Sequence, residues 1–161
     1  MKIKPQIAVF ASIIFVIAGI LGSMALGWWQ TESDKIPQRL DTAAVPGEEA
    51  AYDPADIRGS YTLNEISSLF QIPLEELAAA FGIKQDEAAE FKVKGLETIY
   101  TDPEKEVGTS SVRLFVAWYK GLPYELKEDS FLPAPAARIL RDKAGLTSEQ
   151  EEYLNTHTLG I

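Results

Sequence analysis

The residues able to do chemistry are few. His157 is the only imidazole, and the 161-residue chain has no Cys, which removes disulfides, thiolate metal sites, iron–sulfur ligation and Cys nucleophiles. A metal held by His157 would need two or three carboxylates to complete its shell. His157 lies three residues beyond Leu154 in a tail expected to fray, where an exposed or capping imidazole is the expectation. Serine chemistry would require Ser110, Ser111 or Ser130 to meet that imidazole in space, because activation needs an adjacent base and a group orienting it. No nucleophile-elbow pattern marks any of the three. Adjacent acids occur at Glu48-Glu49, Glu75-Glu76, Glu128-Asp129 and Glu151-Glu152. Neighbours on a helix point about 100° apart, so these pairs do not converge as the acid and base that a glycosidase sets roughly 5–9.5 Å apart. EF-hand spacing and Gly-rich phosphate loops are absent. The expectation is a chain without catalytic residues, cofactor or metal, with a small exported hydrolase as the remaining catalytic alternative.

Binding is the chemistry these residue types do offer. The stretch Val112–Tyr124 places Phe115, Trp118, Tyr119 and Tyr124 around Arg113 and Lys120. Trp, Tyr and Arg concentrate binding energy at interfaces, so Arg113, Trp118, Tyr119 and Tyr124 are the expected partner-binding residues. A core helix is the other reading of the same residues: Val112, Phe115, Val116 and Tyr119 fall on one side, and Arg113 and Lys120 extend outward. Trp118 is expected off the Val112/Phe115/Tyr119 face.

The elements that would position these groups begin with a membrane segment. Twenty of the first 29 residues are apolar and none is acidic. From Ile7 to Trp29 the run is nearly continuous, and 23 helical residues reach roughly 34 Å, enough for a hydrocarbon core of about 30 Å. Trp28 and Trp29 close the run, where paired indoles suit the membrane interface. Lys2 and Lys4 precede it, so the positive-inside bias puts the N-terminus in the cytoplasm and residues 30–161 outside the cell membrane. A cleavable signal peptide, cut after Ala25, is the alternative. The apolar stretch before that site exceeds the usual h-region of about 7–15 residues, which favours the uncleaved anchor. Gly19, Ser23 and Gly27 form a small-residue row, with Ala18 and Gly22 beside it, as expected of a helix–helix interface in the bilayer.

Beyond Trp29 the chain carries 13 basic and 24 acidic side chains, a net −11 within a total of −9. Residues 30–56 hold three Pro, one Gly and many Ala and acids without an apolar period, which predicts a linker. Residues 57–161 then form one compact outer domain, expected to be mainly α, with an α+β arrangement as the alternative. Thr62-x-x-Glu65 and Thr147-x-x-Gln150 are capping boxes. Pro73 suits a helix start and Gly82 its stop. Thr109 or Ser110 is expected to cap the helix carrying Trp118, with Gly121 at its end. Pro133–Lys143 reads as a helix ended by Gly145, and the last helix runs to about Thr156. Phe91–Gly95 alternates like a short strand, and Gly95–Tyr100 is ambiguous. A helix-turn-helix reader of DNA is not expected at Thr62–Gly82, because its second helix, Pro73–Phe81, is acidic and then apolar where cations would meet phosphate.

Two resemblances follow from quoted blocks. Tyr61-Thr62-Leu63-Asn64-Glu65-Ile66, Phe70-Gln71-Ile72-Pro73-Leu74-Glu75-Glu76-Leu77 and Phe81-Gly82-Ile83 together resemble the two-helix centre of LysM modules, which implies binding to N-acetylglucosamine polymers such as peptidoglycan. Such a module wants flanking strands, for which Ile57–Tyr61 and either Phe91–Val93 or Leu96–Tyr100 are the available segments. Ile57-Arg58-Gly59 with the same two-helix pattern, Val112–Tyr124, and Phe131-Leu132-Pro133 with Ala137-Arg138-Ile139-Leu140 resemble the tail domain of membrane-bound ferredoxin-type (4Fe–4S) proteins. Those are similar to accessory subunits of nitrate reductase. The cluster-binding Cys motifs are wholly absent here, so no electron carriage transfers. The resemblance implies an exported tail on a single anchor, associated with a membrane redox complex. The expected partners are thus membrane proteins and the lipid bilayer, with peptidoglycan as the alternative and no nucleic acid.

Overall fold

The computed structural model describes residues 36–40, 50–102, 104–126 and 130–160. Thr62 opens the first helix by the exchange its spacing predicts. Its hydroxyl accepts the Glu65 N–H at 3.2 Å while the Glu65 carboxylate accepts the Thr62 N–H at 2.7 Å, satisfying two donors that the helix itself leaves open. This helix, α1 (Leu63–Phe70), buries Leu63, Ile66 and Phe70. Gln71 ends it in the left-handed region at φ 52°. Pro73 caps the next helix, α2 (Leu74–Ala80), one position before the helical start expected for it. Gly82 takes φ 65° and stops the chain there.

The alternation at Phe91–Gly95 does not make a strand. Lys92 forms a single antiparallel bridge with Thr62, and Val93–Gly95 turns into a 3-10 helix leading into α4 (Leu96–Ile99), after the short α3 (Gln85–Ala88). The reason is Gly95. A Cβ there would lie 2.9 Å from the Phe91 ring, so the missing side chain lets Phe91 fold over the turn.

The aromatic-rich helix is α5 (Thr109–Lys120). Gly108, not Thr109 or Ser110, occupies its cap position, and the Gly108 N–H donates to the Ser111 hydroxyl at 3.2 Å. Gly121 ends α5 at φ 63°, as expected. After it, β1 (Leu132–Pro133), α6 (Ala134–Lys143), α7 (Ser148–Thr156) and β2 (Thr158–Leu159) complete the order. Thr147 and Gln150 make the second capping box, at 3.2 and 2.9 Å. Helix α6 is capped at Ala144, one residue before the Gly145 expected to end it. The strands β1 and β2 pair in parallel, with Leu132 opposite Thr158.

The domain is therefore mainly helical. Helix α2 packs against α1, α3 and α6, and α5 packs against α6 and the 3-10 turn Pro54–Asp56. Phe81 and Phe115 meet edge to face at 5.6 Å among fully buried Leu77, Leu114 and Leu140. The compact unit runs from Pro37 to Ile161 and so takes in part of the stretch expected to be a linker. Arg39 and Tyr52 form an antiparallel bridge, Tyr52 lies edge-on to Phe70 at 6.3 Å, and Pro54 is buried. Apolar surface on those two residues is what draws the segment onto the domain. Among the described residues no helix is long and apolar enough to cross a membrane. The Ile7–Trp29 run, with Ala18, Gly19, Gly22, Ser23, Gly27, Trp28 and Trp29, lies outside them.

Candidate functional site

Asp53 begins the site. Its carboxylate accepts the Ala55 N–H at 2.8 Å, capping the Pro54–Asp56 turn, and the Asp56 carboxylate accepts the Gln38 N–H at 2.8 Å. Backbone bonds from Leu40 to Ala51 (2.8 Å) and from Asp53 to Gln38 (2.7 Å) finish a narrow antiparallel ribbon. Across from it, Arg113 on the first turns of α5 donates its Nε to the Ile57 carbonyl at 2.7 Å. Gly121 turns the chain so that Pro123, Tyr124 and Glu125 come back along the ribbon. The result is a cleft of about 610 Å³ lined by Leu40, Asp53, Ala55, Arg113, Pro123, Tyr124 and Glu125.

The cleft mixes one cation and two acids with apolar walls. Nε is the one Arg113 donor that a described residue accepts, which leaves the outer nitrogens of its fork to meet an incoming acceptor. The Tyr124 hydroxyl is buried without a hydrogen-bond partner among the described residues. Burial pushes that phenol above its ordinary pKa; the Arg113 charge pulls it back and the Asp53 charge adds to the rise. No nucleophile–base pair is present in the lining.

Of the four expected partner-binding residues, the fold brings Arg113 and Tyr124 together and sends the other two elsewhere. Trp118 is 4% exposed, with its ring edge-on to Tyr153 at 5.6 Å. Its position off the Val112/Phe115/Tyr119 face is correct, but that second face is covered by α7, so the indole is core. Tyr119 is half-buried and donates to the Glu76 carboxylate at 2.7 Å, and Lys143 donates to the other Glu76 oxygen, tying α2, α5 and α6 together. Burial raises the Tyr119 phenol and the Glu76 contact raises it further, to about 12. For Glu76, burial pushes the carboxyl up, but the Lys143 and Tyr119 hydrogen bonds and the Lys143 charge outweigh it and hold the group below its ordinary value.

His157 is not in a frayed tail. It caps α7, stacks on Tyr153 at 3.9 Å, lies 5.0 Å from the Phe131 ring, and passes directly into β2. The Leu132 N–H donates to its carbonyl at 2.9 Å. Among the described residues no hydrogen bond joins its ring to Ser110, Ser111 or Ser130. The Ser111 hydroxyl is spent on the Gly108 N–H, the Ser130 hydroxyl is buried without a partner among the described residues, and the Ser130 carbonyl accepts from the Tyr153 hydroxyl.

Leu40, Asp53 and Ala55 were not foreseen at the site, since they sit in the stretch read as linker. Asp53-Pro54 did carry a signal: an acceptor at the cap position followed by Pro is a helix-start pattern. Fold and cleft define a small, mainly helical domain with a preformed lateral cleft. Compared with family models, curated proteins and solved structures, the chain matches none.

Proposed function

We propose that this protein is a single-pass membrane-anchored accessory or assembly subunit. It binds another membrane protein through its outer domain and carries out no reaction itself. The N-terminus lies in the cytoplasm, Ile7–Trp29 spans the membrane with Gly19, Ser23 and Gly27 toward a partner helix, and the domain lies outside. The observation that carries the reading is the cleft joining Arg113 to Tyr124, where a cation with uncommitted donors faces apolar walls and no catalytic pair. A membrane redox complex is the kind of assembly favoured by the tail-domain resemblance. Native purification in mild detergent tests this. A stoichiometric companion is expected, and it is lost on Arg113→Glu; a protein that runs alone overturns the proposal.

One observation favours a second reading, a wall-binding module of LysM type. The helices α1 and α2 are bracketed by the Thr62–Lys92 bridge, with the Val93 N–H donating to the Tyr61 carbonyl at 2.9 Å and the Leu63 N–H to the Phe91 carbonyl at 3.0 Å. Such a module needs flanking segments of this kind. Sedimentation of the full-length protein with purified peptidoglycan separates the readings: a protein left entirely in the supernatant removes this one.

A further inference from the structure

On the other side of the Arg39–Tyr52 ribbon lies a second, smaller cleft of about 210 Å³, with Arg39, Tyr52, Phe70, Gln71, Lys120 and Leu122 in its walls. The charged side chains in its lining, Arg39 and Lys120, are both cationic, in a chain whose net charge beyond Trp29 is −11. Arg39 is fixed there, with its guanidinium 5.1 Å above the Tyr52 ring and Nη1 donating to the Ala50 carbonyl at 3.2 Å. Lys120 is exposed and has no carboxylate within ion-pair distance among the described residues.

The wall between α1 and α2 adds an independent observation. Gln71 alone among the described non-glycine residues has a positive φ, 52°. Glycine takes that conformation without penalty, whereas a side chain there is strained. Gln71 holds that conformation as the left-handed cap that ends α1, and it lines the cleft with an amide that can both donate and accept.

We propose that this cleft binds a carboxylate side chain carried on an extended peptide segment of a partner protein, with Lys120 meeting the charge and Gln71 the adjoining peptide group. Charge complementarity selects the occupant. Size sets its extent: at about 30 Å³ per water, the volume equals roughly seven waters, which is room for one acidic residue and its flanking peptide groups. Leu122 and Phe70 supply the apolar contact beside it. The site is separate from the Arg113 cleft, and its failure would leave the accessory-subunit proposal to its own copurification test.

The test uses the ¹⁵N-labelled full-length protein in detergent micelles, titrated to millimolar concentration with acetyl-Leu-Glu-Leu-amide and with its Gln and Lys counterparts. The Glu peptide is expected to shift the Gln71 and Leu122 amides saturably, the Gln peptide to bind about fivefold more weakly, and the Lys peptide not to bind. K120Q should equalise the Glu and Gln peptides, and K120R should preserve the difference. Q71G should weaken both peptides while raising the melting temperature, since it removes the amide and relieves the backbone together. Equal affinity for Glu and Gln peptides in the unaltered protein, or discrimination that survives K120Q, overturns the proposal. So do shifts of the Lys120 and Gln71 amides on E48Q/E49Q without peptide, which would make the chain's own acids the occupant. Concentration-dependent shifts of those amides without peptide also overturn it, by making a second copy the occupant.

Discussion

Two sides of the Val112–Tyr124 stretch carry similar side chains and treat them oppositely. Toward the C-terminal helix, Trp118 is buried edge-on against Tyr153, which stacks on His157. Toward the ribbon, Arg113 and Tyr124 wall an open cleft. Trp118, Arg113 and Tyr124 come from the same aromatic, cation-studded stretch, and composition gives no ground for separating them. What separates them is the element that arrives later. Tyr153 of α7 lies against Trp118, while the ribbon stands off from Arg113 and Tyr124 and leaves about 610 Å³ between. Interface-type residues are therefore interface residues only where no other part of the chain reaches them.

Among variants on the two sides, the largest effect is expected at Trp118. Trp118→Ala removes a buried ring from the α5–α7 contact and is expected to cost about 3–5 kcal/mol, measured by denaturant unfolding of the purified protein. A loss under about 1 kcal/mol would mean that the indole is not core and would collapse the contrast. Next is the tie among α2, α5 and α6. Glu76→Ala leaves Tyr119 and Lys143 without their acceptor and should cost about 2 kcal/mol. Its pH dependence follows from the two shifts. The Glu76 carboxyl is depressed in the folded state, so its contribution is present above the ordinary carboxylate range and lost as pH falls through the folded value. Tyr119 is raised to about 12 from 10.0, so its contribution is complete below 10.0 and fades as pH climbs toward 12. Unfolding curves of the native and Glu76→Ala proteins should converge at both extremes and differ between them.

At the cleft the effects on folding shrink. Arg113→Ala loses the bond to the Ile57 carbonyl and should cost about 1.5 kcal/mol, while abolishing companion binding. Tyr124→Phe deletes a buried hydroxyl that has no partner among the described residues and should leave stability unchanged or raise it by up to about 1 kcal/mol. A clear destabilisation in thermal unfolding would show that the hydroxyl has a partner, and would refute its description as an orphan.

Features fixed within four residues were legible from sequence. The Thr62–Glu65 and Thr147–Gln150 boxes and the stops at Gly82 and Gly121 are local exchanges of backbone donors and φ angles, and they stand where expected. Features that depend on distant partners were not legible. The burial of Trp118 is decided by Tyr153, thirty-five positions on, and the fate of His157 by its neighbours Phe131 and Leu132. The turn at Val93–Gly95 was hidden because alternation cannot report that Phe91 will cover a glycine. Half of the cleft could be read: Arg113 and Tyr124 were visible as residue types with a use, whereas Leu40 and Asp53 acquire theirs only because Tyr52 and Pro54 bury themselves nearby.

The ribbon also has a mechanical meaning. Gln38 pairs with Asp53 and Leu40 with Ala51, so the chain entering at Pro37 and the chain leaving at Pro54 emerge from the same end of the pair. A pull on the entering strand loads these hydrogen bonds one after another, as in peeling, rather than all at once, as in shear. The ribbon therefore yields before the helices feel tension. Arg39 and Leu40 leave with it, so each cleft loses a wall: force applied to the chain before Pro37 would dismantle both clefts while the helical core stays folded.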